Sequence, residues 1–123
     1  MVESESAREW VRKAKKFKVV GQYYETGYYY GKAAKALWRT DEKKARKYYK
    51  VAASYFVLGA DHHHKNGSLN LAAKGYEDAA RIFGKLGAKD AALEAFLRAT
   101  RCRINAVKSH LEKSAIEPEE MSG

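Results

Sequence analysis

Apolar and small residues recur along the chain at steps of three and four, the rhythm of a helix face, and nowhere in the two-residue alternation of a strand. Trp10, Ala14, Phe17, Gly21 and Tyr24 form a first stripe, with Arg12, Lys13, Lys15, Lys16 and Lys18 largely outside it. Ser4 or Ser6 is placed to cap this helix, and Gly27 to permit a reversal. A second helix from about Tyr28 or Tyr29 to Thr40 would bury Tyr30, Ala33, Ala34 and Leu37. Asp41 is a natural N-cap for a third, whose inward positions are Ala45, Tyr48, Ala52, Tyr55 and Gly59. The stretch from Asp61 to Ser68, with three consecutive histidines and Gly67, has weak periodicity and the composition of a loop, part of which can still be helical. A fourth helix from about Leu69 buries Ala72, Tyr76, Ala79, Ala80 and Phe83 and ends at Gly84 or Gly87.

The fifth, from about Lys89 to Ser114, carries two stripes: Ala92, Phe96, Ala99, Cys102 and Ala106, and Leu93, Leu97, Ile104, Val107 and Leu111. Two stripes mean a helix packed on both sides within its own chain or one side offered to another chain. The second reading makes Leu97, Ile104 and Leu111 candidates for self-association in a homodimer. Residues 115–123, with Pro118 among acids, read as a flexible C-terminal tail. The pattern thus predicts an all-α fold, a single domain over residues 1–114. About five antiparallel helices would form hairpins in a short array or irregular helical bundle.

A length of 123 residues supports one core. A 12% aromatic content argues against disorder, and no apolar run approaches the roughly 18 residues of a spanning helix. The opening Met1-Val2-Glu3-Ser4-Glu5 is acidic where a secretory signal is basic and then apolar, which leads to the expectation of a cytoplasmic protein. Few Asn and Gln beside abundant charge is a thermophile-like composition. Cys102 has no partner in the chain and sits on an apolar stripe, so it reads as a small core residue and not as a nucleophile.

The net charge of +9 is uneven: residues 1–40 contribute +5, residues 41–60 +3, residues 61–87 +1 and residues 88–123 zero. Such asymmetry draws acidic partners or nucleic acid over long range. Tyrosines lie among these cations, and where two adjoin on a helix, one faces the core and its neighbour the rim. Assigning Tyr24, Tyr48, Tyr55 and Tyr76 to the core leaves Tyr23, Tyr28, Tyr29 and Tyr49, with Lys13, Lys16, Lys47 and Lys50, as a candidate partner-binding surface. Consecutive helical residues lie about 100° apart and cannot all face one ion, so His62, His63 and His64 do not predict a metal site. No glycine-rich phosphate loop, HExxH, CxxC or paired-carboxylate motif occurs, and neither cofactor nor catalysis is expected.

Tyr76, Ala79, Ala80, Phe83, Gly87, Ala92, Phe96 and Ala99 resemble the tetratricopeptide pattern, in which small residues let paired helices approach and aromatics fill the gaps. Phe17, Val20, Gly21, Tyr24, Ala33 and Leu37 form a similar set, and Tyr48, Val51, Ala52, Tyr55 and Gly59 a partial one. Gly27, Gly59 and Gly87 stand as the marker glycines. Over residues 10–110 the chain resembles a degenerate TPR-like or SNAP-like array, which implies non-catalytic protein binding. The partner expected on the basic, tyrosine-rich surface is an acidic or amphipathic protein. Residues 7–37, from Ala7-Arg8-Glu9-Trp10 to Lys35-Ala36-Leu37, also resemble the opening helices of HEPN domains, some of which cleave RNA with an Arg and a His. That resemblance implies an RNA-binding protein or ribonuclease using Arg103 and His110, although Ile104 follows Arg103 where active members prefer a polar residue. Simple nucleic-acid binding is the remaining alternative.

Overall fold

The structure, a computed structural model, describes the backbone of residues 2–122 and the side chains of residues 6–115. It comprises α1 (Val2–Val19), α2 (Tyr23–Leu37), α3 (Glu42–Lys65), α4 (Leu69–Lys85) and α5 (Lys89–Ser122), with no strand among the described residues. Joins of three or four residues send each helix back alongside its predecessor. Each therefore packs chiefly on its chain neighbours: α1 on α2, α2 on α3, α3 on α4 and α4 on α5. No helix among the described residues is long and apolar enough to cross a membrane.

Three of the four turns repeat one geometry. At Gly21, Gly67 and Gly87 the backbone turns left-handed, with φ of 76°, 79° and 80°. The amide of Gly67 donates to the His64 carbonyl at 3.1 Å and that of Ser68 to the His63 carbonyl at 2.9 Å. Gly21 with Gln22 and Gly87 with Ala88 make the same paired bonds to Lys18 and Phe17 and to Gly84 and Phe83. This is the Schellman stop, in which glycine avoids the left-handed penalty while two terminal carbonyls gain donors. The α2–α3 turn instead uses Asp41, whose carboxylate accepts from the Lys44 amide at 3.1 Å, as its sequence position predicts.

Gly27 is not the reversal point. It is buried inside α2, where a Cβ would stand 2.9 Å from the Ala52 carbonyl oxygen of α3. The reversal falls earlier, at Gly21, so α2 starts at Tyr23 and not at Tyr28 or Tyr29. Gly59 serves the same close crossing, its Cβ direction meeting the Tyr24 backbone nitrogen at 3.1 Å. Gly75 does so between α4 and α3, 2.9 Å from the Ala60 Cβ. The proposed marker glycines are thus unlike one another: Gly27 and Gly59 permit helix contact, while Gly87 makes a turn.

Alanines continue these narrow seams. Ala33, Ala34, Ala52, Ala53, Ala72, Ala73 and Ala79 are all buried. Aromatic rings fill the wider gaps: Tyr30 of α2 stacks between Tyr48 and Tyr55 of α3, at centroid distances of 5.9 and 6.1 Å. Tyr29 lies between Trp10 and Phe17 of α1 at 5.7 and 5.3 Å. Each such pair contributes about 0.5–1.5 kcal/mol beyond its area burial.

The structure decides the histidine run, which the pattern left open, and differs from the pattern reading at the chain ends. His62, His63 and His64 are helical, because α3 continues to the stop at Gly67. At the ends, α1 begins at Val2, ahead of Ser4 and Ser6, and α5 continues past Ser114 to Ser122, where a tail over 115–123 was expected. The helix crosses Pro118, with Ala115, Glu117, Glu119, Glu120 and Met121 as strong helix formers around it. Its side chains from Ile116 onward lie outside the described residues.

Candidate functional site

With α3 packed on both α2 and α4, a groove opens between the latter two. Tyr28, Gly31, Lys32 and Lys35 line it from α2, and Lys74, Asp78, Arg81, Ile82 and Lys85 from α4. Tyr49 and Phe56 of α3 form its floor, and Tyr24 closes one end. Its volume of about 600 Å³ falls within the ~300–1,000 Å³ common for ligand clefts.

Helix spacing explains the convergence. Tyr28, Lys32 and Lys35 follow one face of α2 at steps of four and three, and Lys74, Asp78, Arg81 and Lys85 follow one face of α4 at steps of four, three and four. Five cations therefore meet across the groove, against the single lining carboxylate of Asp78. Asp78 is buried and already engaged: it accepts the Tyr24 hydroxyl at 2.5 Å and pairs with Arg81. Burial pushes the Tyr24 phenol above its ordinary pKa, partly opposed by Arg81. The phenol accordingly stays protonated as the donor that Asp78 needs.

Three of the other four cations, Lys32, Lys74 and Lys85, hold positions over rings. Lys74 Nζ lies 5.8 Å from the Tyr24 centroid and Lys32 Nζ 5.4 Å from that of Tyr28. Lys85 Nζ lies 4.8 Å from the ring of Trp38 and 5.4 Å from Tyr49, and Arg46 covers Trp38 at 5.3 Å. Tethered in this way, the ammonium groups lose less freedom on meeting an anion than free lysines would.

The surface nominated from sequence is divided by the fold. Tyr28 is exposed in the groove. Tyr49 is buried, with only 6% of its surface exposed, as part of the groove floor against Trp38 at 5.7 Å. Its neighbour Tyr48 is the half-buried one, so the assignment of that pair to core and rim was inverted. Tyr23 stacks on Tyr55, and Tyr29 is held in the α1 aromatic sandwich. Lys13 sits over Trp10 at 4.9 Å on that other face, Lys16 is exposed on α1, and Lys47 and Lys50 are exposed on α3. Lys32, Lys35, Lys74, Arg81 and Lys85 were missed. Their regular spacing was visible, but that α2 and α4 face one cleft was not.

Arg103 donates to both Glu77 carboxylate oxygens, at 2.8 and 2.7 Å, which lowers the Glu77 pKa. His110 is exposed, and it does not line the groove between α4 and α5 to which Arg103 contributes. Cys102 is buried on the α4-facing side of α5, and burial pushes its thiol pKa up. Among the described residues no three His, Cys, Asp or Glu side chains gather as a metal set, and His62 contacts Asn66 at 3.2 Å. No protein-family model matches the chain, and no curated protein matches it.

Proposed function

We propose that the chain is a non-catalytic, TPR-like protein-interaction module whose α2–α4 groove receives an acidic segment of another protein. The observation that carries this reading is the convergence of five cations on one cleft, of which Arg81 is paired with the only lining carboxylate, Asp78, and four are left uncompensated. Neighbour-on-neighbour packing and three equivalent turns support the helical-array part of the reading.

Ring availability favours carboxylates over nucleic acid. Non-specific single-strand binders offer bare aromatic faces to successive bases. Here Tyr49 and Phe56 are buried and Tyr24 is tied to Asp78, leaving Tyr28 as the exposed ring of the groove.

Titrating a fluorescent peptide of alternating Glu and Leu tests the assignment. The Lys35→Glu/Lys74→Glu double variant should bind about tenfold or more weakly, since each exposed ion pair is worth about 0.2–1 kcal/mol and reversal adds repulsion. Lys13→Glu/Lys16→Glu makes the same change in net charge outside the groove and should leave affinity within about twofold at physiological salt. Equal losses in both variants would reduce the effect to overall charge. Tighter binding of a single-stranded RNA of equal charge would transfer the groove to nucleic acid.

A further inference from the structure

Among the described residues, most of the exposed large apolar side chains lie on α5. Leu93, Leu97, Ile104, Val107 and Leu111 are 52–61% exposed, although they occur on a helix that already has a packed face. That packed face is made of small residues: Ala95, Ala99 and Cys102 are buried toward α4.

The exposed side has the more specific pattern. Leu93, Leu97, Thr100, Ile104, Val107 and Leu111 are spaced four, three, four, three and four, an unbroken heptad seam with Leu97, Ile104 and Leu111 at a and the others at d. Thr100 fits the seam, because its hydroxyl bonds back to the Phe96 carbonyl at 3.0 Å and so has its partner within α5. An average period of 3.5 residues is what a second helix wrapped along the first requires. A helix resting on a sheet or a mixed surface has no need of it.

We propose that α5 pairs with α5 of a second copy as an antiparallel coiled coil, with the two-fold axis at the level of Cys102. Three arguments select this occupant. First, a layer register closes on itself: Leu97 meets the partner's Val107, Ile104 the partner's Thr100 and Leu111 the partner's Leu93, as an isologous contact demands. Secondly, charge favours this direction. Glu94 falls opposite the partner's Lys108 on both sides of the axis, whereas a parallel pair would set Arg103 against Lys108 twice. The two Arg103 groups flank the antiparallel axis with their charges already taken by Glu77. Arg101 and Arg103 each face their own copy across the axis, and of the two Arg101 is the one with no ion pair among the described residues.

Thirdly, size and reach fit. At on the order of 100 Å² for each half-bare side chain, the seam offers roughly 600 Å² per chain, close to the ~800 Å² a standard interface takes from each partner. The 17 residues of α4 extend about 25 Å and the 34 of α5 about 50 Å, so the last half of α5 overhangs. In the antiparallel register that overhang lies along the α4-backed half of the partner's α5.

Sedimentation equilibrium of the full chain at about 10–100 μM tests the pairing. The wild type should be dimeric, and Ile104→Glu monomeric with its far-UV circular dichroism unchanged, a weakening of more than about a hundredfold. Arg101→Gln should tighten the dimer several-fold by removing the self-facing charge that Glu77 does not offset. A wild type that stays monomeric throughout this range, or an Ile104→Glu chain that still dimerises, overturns the proposal. For direction, Leu93→Cys and Leu111→Cys chains, each in a Cys102→Ala background, are mixed in a thiol–disulfide buffer. Mixed 93–111 disulfides are expected, and 93–93 with 111–111 disulfides alone would overturn the antiparallel register.

Discussion

Gly27 and Gly75 serve the same end in two different helices, a close crossing with α3. A methyl group at either would press to 2.9 Å, on the Ala52 carbonyl oxygen or on the Ala60 Cβ, and neither neighbour is a flexible chain end. Gly27→Ala or Gly75→Ala should therefore destabilise by about 1–3 kcal/mol in urea titration, even though alanine is the better helix former. Gly84, also helical, has nothing within 4 Å of its Cβ direction, and Gly84→Ala should stabilise by up to about 1 kcal/mol. Tyr76 supplies a pH dependence. Burial first, and then its bond to Asp61, raises its phenol to about 12, from about 10 in the unfolded chain. Its stabilising contribution is complete below pH 10, falls as pH rises toward 12 and is gone above it. The melting temperature of Tyr76→Phe should start lower than that of the wild type and fall less steeply over this window.

At the scale of elements, backbone conformation governs the turns and not the space around them. No atom lies within 4 Å of the Cβ direction at Gly67, yet its φ of 79° puts any other side chain in the left-handed region. Gly67→Ala should cost about 1 kcal/mol or more by chemical denaturation. Asp41→Ala should cost about 1 kcal/mol through loss of its bond to the Lys44 amide, and Asp41→Asn much less. The helix ends illustrate what local pattern conveys. Asp41 combines cap chemistry with the onset of periodicity and was readable. Gly21 and Gly27 are both glycines near a change of stripe, and only the position of α3 distinguishes the turn from the crossing. The histidine run was likewise ambiguous, because a polar stretch at the end of α3 has little packed face to reveal its period.

For the whole molecule, packing that runs from each helix to the next means that most contacts are local in sequence. Folding should accordingly be fast, on the order of milliseconds or less in stopped-flow refolding, for the monomeric Ile104→Glu chain. The charge excess has a consequence at this same scale. Repulsion among the cations of α1, α3 and the α2–α4 groove is screened by salt, so the melting temperature should rise between low and physiological ionic strength. A flat or falling trend would show that local ion pairs such as Arg103 with Glu77 outweigh the net excess.

Periodicity, cap chemistry and composition were enough to establish an all-α chain, to count its helices and to identify the bare stripe of α5, because each is decided within a few turns of one helix. Which tyrosine of a pair is buried, which glycine bends the chain and which lysines share a cleft depend on where other helices lie. Tyr49 and Tyr48 differ by 100° about one axis, and only contact with Trp38 on one side and Tyr30 on the other tells them apart. The groove cations Lys35 and Lys74 stand 39 positions apart in the chain. What brings them to one surface is the close crossing of α2 and α4 with α3 at Gly27, Gly59 and Gly75, a tertiary fact that neither local sequence contains.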